Sequence, residues 1–431
     1  MKAVVIGAGV GGMAAAYDLS LGGANVTILE AEDQVGGLAS GFKQPGWDWS
    51  VERYYHHWFA SDRHMMGLIQ ELGWQERVIF PHPTTVVFHE GEFYALDSPL
   101  NVLRFPAISL AERLRMGLVI AYLRYLADWR PLEGTTAHDW LRRWLGQRTY
   151  EIVWEPLLVG KFGPHYRKVN MAWFWARIKA RTPRLGTFEG GFQAFMDSFA
   201  SLLKDRGVAL RLNIRVERIE TAAEGLRILT TGGALHADHC LVTSSPRALA
   251  NMAPDLPAAY LEKLHALRSM GAVVLVLALR ERLSQKGFYW HNLPKAAGFP
   301  FLSLVEHTNF IPAEKFGGDH IVYLGDYLEP DHEYFHLSRE QLLERFLPSL
   351  KRFNPRFEPE WVKGSWLFRT AYAQPVPGLH HSKAIPDVRT PIPGLWFASM
   401  SQVYPWDRGT NFAVEIARRT ARQMLHQDGL G

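Results

Sequence analysis

The run Gly7-Ala8-Gly9-Val10-Gly11-Gly12 constrains this chain more than any other feature. Ahead of it, Ala3-Val4-Val5-Ile6 is a β-branched run suited to a buried parallel strand. Behind it, residues 13–19 read as a helix, Gly22-Gly23 as a turn, and 25–29 as a second strand that ends at Glu30. Gly7, Gly9 and Gly12 fit G-x-G-x-x-G, with Gly11 in the same turn. The result is a complete βαβ unit with an acid about twenty residues past the glycines. Each part has a physical task. Gly7 permits the tight turn, Gly9 lets backbone touch a pyrophosphate, and Gly12 lets helix and strand pack closely. The helix start then offers unpaired N–H groups and a positive dipole end to the phosphates. Glu30 closes the second strand, where a carboxylate accepts both hydroxyls of an adenosine ribose. The unit predicts dinucleotide binding.

A second glycine pair follows the acid, in Asp33-Gln34-Val35-Gly36-Gly37-Leu38-Ala39-Ser40. Together with Glu30 it resembles the E-x-x-x-x-x-G-G pattern of FAD enzymes in the amine oxidase, protoporphyrinogen oxidase and phytoene desaturase superfamily. Further segments match that superfamily in order: Thr135 to Leu141, Trp154-Glu155-Pro156-Leu157-Leu158, Phe188-Glu189-Gly190-Gly191-Phe192, Val216-Glu217-Arg218-Ile219, Leu241 to Pro246, Pro393 to Ala398, and Gly409 to Glu415. The resemblance implies FAD, with Gly36, Gly37 and Leu38 along its pyrophosphate and ribityl chain and the Val216 backbone at its adenine. It implies a closing helix whose start, at Gly409, Thr410 and Asn411, faces the flavin pyrimidine edge. There a helix dipole stabilises negative charge. No Cys or His stands in an attachment motif, so FAD is expected to be non-covalent. Three departures stand out. Ser399-Met400 replaces the usual Gly-Asp on the flavin chain, Asn411-Phe412 replaces Ser-Gly, and no Lys opens the strand near Met270-Gly271-Ala272.

The implied fold class is α/β: a Rossmann-like FAD-binding domain interwoven with an α+β substrate domain. Residues 1–85, 188–246 and 366–431 would form the first, and 86–187, mostly helical, and 247–365 the second. Within the latter, Ala272 to Leu279 reads as an apolar strand, and Ser338 with Gln341 as the capping box of a helix to Phe346. Composition agrees. Apolar residues make up 47% of the 431, enough for a large core, and 15 Trp suit a flat ligand or greasy cavity. A net charge of +4 is too balanced to make nucleic acid a partner. One cysteine, Cys240, excludes a disulfide framework, a CxxC redox pair and a thiolate metal cluster, and no metal site is expected. The N-terminus does not read as a signal peptide and no long apolar run reads as a spanning helix, so a cytoplasmic protein is expected. The stretch Arg104 to Arg130 sets arginines among Leu, Ile, Tyr and Trp, a pattern for either a peripheral membrane contact or a solvated core helix. An oligomer is left open.

The chemistry is expected near Trp47-Asp48-Trp49-Ser50-Val51-Glu52-Arg53-Tyr54-Tyr55-His56-His57-Trp58-Phe59, which follows the glycine pair. Arg53 and His57 are the polar candidates for catalysis, with His56 as the neighbour that points away; either histidine serves equally well as a hydrogen-bonded structural residue. Tyr372 is the third catalytic candidate. Trp366, Tyr372, Tyr404 and Trp406 would form an aromatic cage for a small hydrophobic substrate. The leading function is hydride transfer from that substrate to flavin, by C–C desaturation or by C–N or C–H oxidation. The alternative is a non-redox flavoenzyme resembling UDP-galactopyranose mutase, with Arg177, Arg181 and Arg184 on a sugar-nucleotide pyrophosphate. A non-catalytic FAD-bound interaction protein is the third class. A pyridine-nucleotide disulfide reductase is excluded, because a second G-x-G-x-x-G and a CxxC are both missing.

Overall fold

The computed structural model describes residues 1–96, 98–180, 182 and 184–429. Five parallel strands form the first sheet, in the order Ala209–Arg211, Asn25–Leu29, Lys2–Ile6, His239–Val242, Leu395–Phe397. The period of two in a strand sends alternate residues to opposite faces. Ala3 and Val5 enter a core with the helices Val10–Leu21, Phe192–Asp205 and Thr410–Gln427. Val4 and Ile6 enter another beneath the antiparallel strands Val216–Thr221, Leu226–Thr230 and Gly233–Ala237. Both faces are covered, which is why the first strand reads as an unbroken apolar run. Cys240 is wholly buried in this sheet.

A seven-stranded sheet forms the second layer, in the order Val362–Pro375, Ser269–Leu279, His320–Leu328, Ser303–Glu306, Phe288–Asn292, Thr84–His89, Glu92–Ala95. All its pairings are antiparallel except that of Phe288–Asn292 with Thr84–His89. Its strand Ser269–Leu279 shows the same alternation. Val273, Leu275, Leu277 and Leu279 pack on the helix Arg339–Phe346, while Val274, Val276 and Ala278 pack on Trp47, Val51 and Tyr323. Each such fully buried Val or Leu contributes about 1.5–3 kcal/mol. Ser338 and Gln341 make both halves of the capping box. The strand Val362–Pro375, which straddles position 366, lies wholly in this larger sheet. The stretch from 86 is not purely helical: it begins with two strands whose β-branched run Thr84-Thr85-Val86-Val87 pairs with a segment some two hundred residues away. From Pro99–Arg104 to Met171–Ala180 the chain is helical, with its own core around Leu123, Tyr150, Phe162 and Phe174.

Candidate flavin site

The glycine turn is dictated by contact. A Cβ at Gly12 would lie 2.0 Å from the Gly7 carbonyl oxygen, so no larger residue fits. Gly36 adopts φ of +118°, and a Cβ there would lie 2.9 Å from the Ser40 Cα. The two glycine loops are joined. Gly36 N–H donates to the Ala8 carbonyl at 2.9 Å, and Gly9 bridges Gly36 as a parallel strand would. A Cβ on Gly9 would meet nothing closer than 4.0 Å, so bare backbone faces open space there. Gly37 and half-buried Leu38 continue the rim, and Gly11 abuts the Ala413 carbonyl of the closing helix. The helix Val10–Leu21 has no side-chain cap and no acid in its first turn, which leaves its start suited to an anion.

Glu30 stands where the second strand ends. Its Oε2 accepts Ala8 N–H at 2.7 Å and its Oε1 accepts Glu32 N–H at 3.0 Å. An ionised carboxylate has about four lone-pair sites, so two remain for ribose hydroxyls. Val216 begins its strand just past Ile214, whose N–H donates to the Glu30 carbonyl at 2.8 Å. Its side chain is turned into the core, so only its backbone is available toward a ligand.

At the far end, Ser399 and Met400 open a turn in which Gln402 returns a hydrogen bond to the Ser399 N–H. Tyr372 is locked onto that turn. Its hydroxyl lies 2.7 Å from both Ser399 Oγ and Ser401 Oγ and accepts Ser401 N–H at 3.0 Å. Burial pushes the phenol up to about 12, so it is a neutral positioning group. Gly409 precedes the closing helix, which has no side-chain cap of its own. Thr410 Oγ1 instead accepts the Trp58 indole N–H at 3.1 Å, and Asn411 Oδ1 accepts His64 and Met65 N–H at 2.9 and 3.1 Å. Both side chains thus serve the neighbouring segment, and Asn411 caps the helix Arg63–Glu71 across the tertiary fold.

The run from Trp47 to Phe59 lies between the sheets and divides its side chains. Arg53 N–H donates to the Ser40 carbonyl at 2.9 Å, beside the second glycine loop. Its guanidinium carbon is 5.8 Å from the Phe368 ring, and its Nε is buried without an acceptor. An orphaned buried donor of this kind fits a bound polar ligand. His57 turns to the larger sheet, with Nε2 at 2.5 Å from Tyr289 Oη among the rings of Tyr289, Trp290 and Phe310. His56 turns the other way, toward Phe192, and donates from Nδ1 to the Tyr54 carbonyl at 2.6 Å. Burial pushes His56 down to about 4, so it is neutral at pH 7. Glu52, fully buried, accepts Phe192 N–H at 3.0 Å, and the Tyr323 hydroxyl donates to its carbonyl at 2.9 Å. Burial pushes this carboxyl up to about 7.

The expected aromatic cage does not assemble. Trp366 packs with Phe42 and Trp47. Tyr404 donates to Glu133 and accepts from Asn170, both at 3.1 Å, with its ring against Trp129 and His381. Trp406 stacks on Phe412 at an interplanar angle of 6° and leans on Trp175. Each ring has its ring neighbours elsewhere because the strand carrying Trp366 points it toward the 47–51 segment, while Tyr404 and Trp406 join the helical core.

What the fold does assemble is a buried polar centre. Lys161 Nζ and Arg408 Nε converge on Gln374 Oε1 at 3.2 and 3.1 Å. Gln374 Nε2 reaches Asp407 Oδ1 at 3.4 Å, and Trp173 Nε1 reaches the same oxygen at 3.0 Å. Gln374 pairs with Met270 in the sheet. A lysine therefore stands beside the strand start where one was sought in sequence, but it is delivered by the helix Glu155–Phe162. Its local signal is a lone cation in Pro156-Leu157-Leu158-Val159-Gly160-Lys161-Phe162. Arg177 lies 3.7 Å from Asp407, and Arg184 is exposed, while Arg181 lies outside the described residues. Among the described residues no three His, Cys, Asp or Glu side chains converge as metal ligands.

Comparison with known proteins bears on the family and the fold. The family described as flavin containing amine oxidoreductase matches residues 10–425. The mitochondrial protoporphyrinogen oxidase of Nicotiana tabacum is 33% identical over 118 residues, 27% of this chain and 23% of that protein. The chloroplastic/chromoplastic 15-cis-phytoene desaturase of Solanum lycopersicum is 25% identical over 271 residues, 55% of this chain and 45% of that protein. The matches thus span less than half of either plant relative. The crystal structure of a putative protoporphyrinogen oxidase from Exiguobacterium sp. 255-15 superposes with a TM-score of 0.79 at 17% identity, covering 99% of both chains, and so shares the fold. The chain belongs to the flavin-containing amine oxidoreductase family.

Proposed function

We propose that this chain is an FAD-dependent oxidoreductase that takes hydride from a small hydrophobic substrate, by C–C desaturation or by C–N or C–H oxidation. The observation that carries the reading is the joined glycine cradle with Glu30 at one end and the buried Arg53 donor beside its second loop. Bound FAD supplies the two-electron acceptor. The first-turn amides of Val10–Leu21 would hold phosphate, and Glu30 would hold ribose. Arg53 Nε would be the donor to a polar atom of the cofactor, and the backbone start of the closing helix would favour negative charge there. Non-covalent attachment is supported by the burial of Cys240 inside its strand and by the hydrogen bonds that occupy His56 and His57. The sugar-nucleotide alternative draws less support, since Arg177 is already matched by Asp407.

The test is direct. Denaturation should release free FAD, and polyprenoid or porphyrinogen-like molecules should bleach the flavin absorbance without oxygen. A flavin that stays on the peptide would remove the non-covalent reading. Tight UDP-sugar binding, with turnover only after chemical reduction, would replace the redox reading by the alternative.

A further inference from the structure

The helix Leu110–Tyr125 reverses the usual rule for a surface helix. Its inner side is sound: Met116 and Leu123 are buried in the helical core, and Ser109 with Glu112 forms a capping box. Its outer side is also apolar. Leu110, Leu114, Leu118 and Tyr122 recur every four residues and all are exposed, Leu118 at 74%. Tyr125 and Leu126 extend the stripe at 72% and 79%. Alanines 111 and 121 and Gly117 fill the remaining outward positions. At 100° per residue this arc covers about 140° of the helix circumference. Arginines border it: Arg113 and Arg124 on one side, Arg115 on the other. Arg115 also bonds the carbonyls of Trp144 and Arg143, which brings an exposed Trp and a second cation to that border. The helix's acid, Glu112, is engaged with Ser109.

We propose that this face docks on an anionic lipid surface, with the stripe seated at the headgroup and acyl boundary and the arginines on lipid phosphates. Charge selects this occupant. A second copy docked face to face would set arginines against arginines, with no acid on the outward arc to answer them. Anionic headgroups match the cationic borders, while leucines enter the apolar layer and Tyr122, Tyr125 and Trp144 sit at its edge. The contact is peripheral, for no described helix is long and apolar enough to cross a membrane. The helix packs on Met171–Ala180, which bears Trp173 and Arg177 toward Asp407, so a docked bilayer would lie one helix away from the polar centre. The inference stands whatever the flavin oxidises.

Vesicle flotation of the full chain tests it, with phosphatidylcholine alone or mixed with phosphatidylglycerol. The chain should float with the anionic vesicles and release as salt rises. The double variant Leu114→Gln, Leu118→Gln should lose about tenfold or more in partitioning, with its melting curve and flavin content unchanged. Leu118→Gln alone, a smaller change at an exposed position, serves if the double variant does not fold. Failure of the wild type to float with anionic vesicles would overturn the proposal. So would equal flotation of the folded variant, or light scattering that reveals a dimer which the variant splits.

Discussion

The glycine cradle and the buried polar centre are assembled by different means. In the cradle, decisive contacts join near neighbours: Gly7 to Gly12, Ala8 to Glu30, Gly9 to Gly36. The hydrogen bond from Ala8 to Glu30 spans 22 positions, one βαβ unit. In the polar centre, Lys161 and Gln374 are 213 positions apart, and Trp173 and Asp407 are 234 apart. The first depends on backbone shape, which a residue's own conformational preferences specify. The second depends on side chains that meet only after two sheets and a helical layer have packed. The cradle should therefore fail abruptly, by steric overlap, and the centre in graded steps, by lost hydrogen bonds and shifted protonation.

The largest effect should come from Gly12→Ala. Its Cβ would overlap the Gly7 carbonyl, and the turn cannot yield without displacing the first strand. We expect a loss of roughly 3–5 kcal/mol in denaturant unfolding, with little flavin retained. A variant that folds and keeps flavin would show that the turn is more compliant than the contact implies.

Next comes the pH dependence set by Glu52. Its folded pKa, about 7, lies above the ordinary carboxyl value, so the folded state holds the proton more tightly than the unfolded chain. Stability from this group is present at low pH and is lost as pH rises from about 4.5 to 7. Buried His56, His291 and His307, each pushed down to about 4, act oppositely: as pH falls from the ordinary histidine value toward 4 the unfolded chain takes up protons that the folded chain does not, and stability is lost. Glu52→Gln keeps an acceptor for Phe192 N–H but removes the charge. Relative to wild type it should gain on the order of 2–3 kcal/mol between pH 5 and pH 8. Parallel stability curves for the two proteins across that window would show that Glu52 ionises freely.

Glu30→Ala removes two charged acceptors from the cradle. At about 1.5–3 kcal/mol per hydrogen bond to a charged group, FAD affinity should fall by roughly tenfold or more. Glu30→Gln keeps one acceptor and should fall between. Flavin content after dialysis reads this, and unchanged retention would remove Glu30 from the ribose site. The smallest effect should be that of Asn411→Ala, about 1 kcal/mol from the loss of the cap on Arg63–Glu71, with flavin affinity unchanged. A fall in affinity without a fall in stability would return the Asn411 side chain to the flavin.

Much of this protein is legible from sequence alone because the rules involved act over a few residues. The first strand, the glycine turn, the helix after it and Glu30 are specified by sterics and period. So are the alternation of Ser269–Leu279 and the capping box at Ser338. Which of two adjacent histidines faces which sheet is not legible, since strand parity can be read but the direction of the first side chain cannot. The same limit hid Lys161, whose neighbours look like any buried helix, and let four aromatics suggest a cage that the packing disperses among separate clusters. Sequence by itself determined the dinucleotide fold and the place of its glycine loops, through local backbone geometry. Only the tertiary structure decided which polar side chains share the interior, because each must find its partner across hundreds of residues.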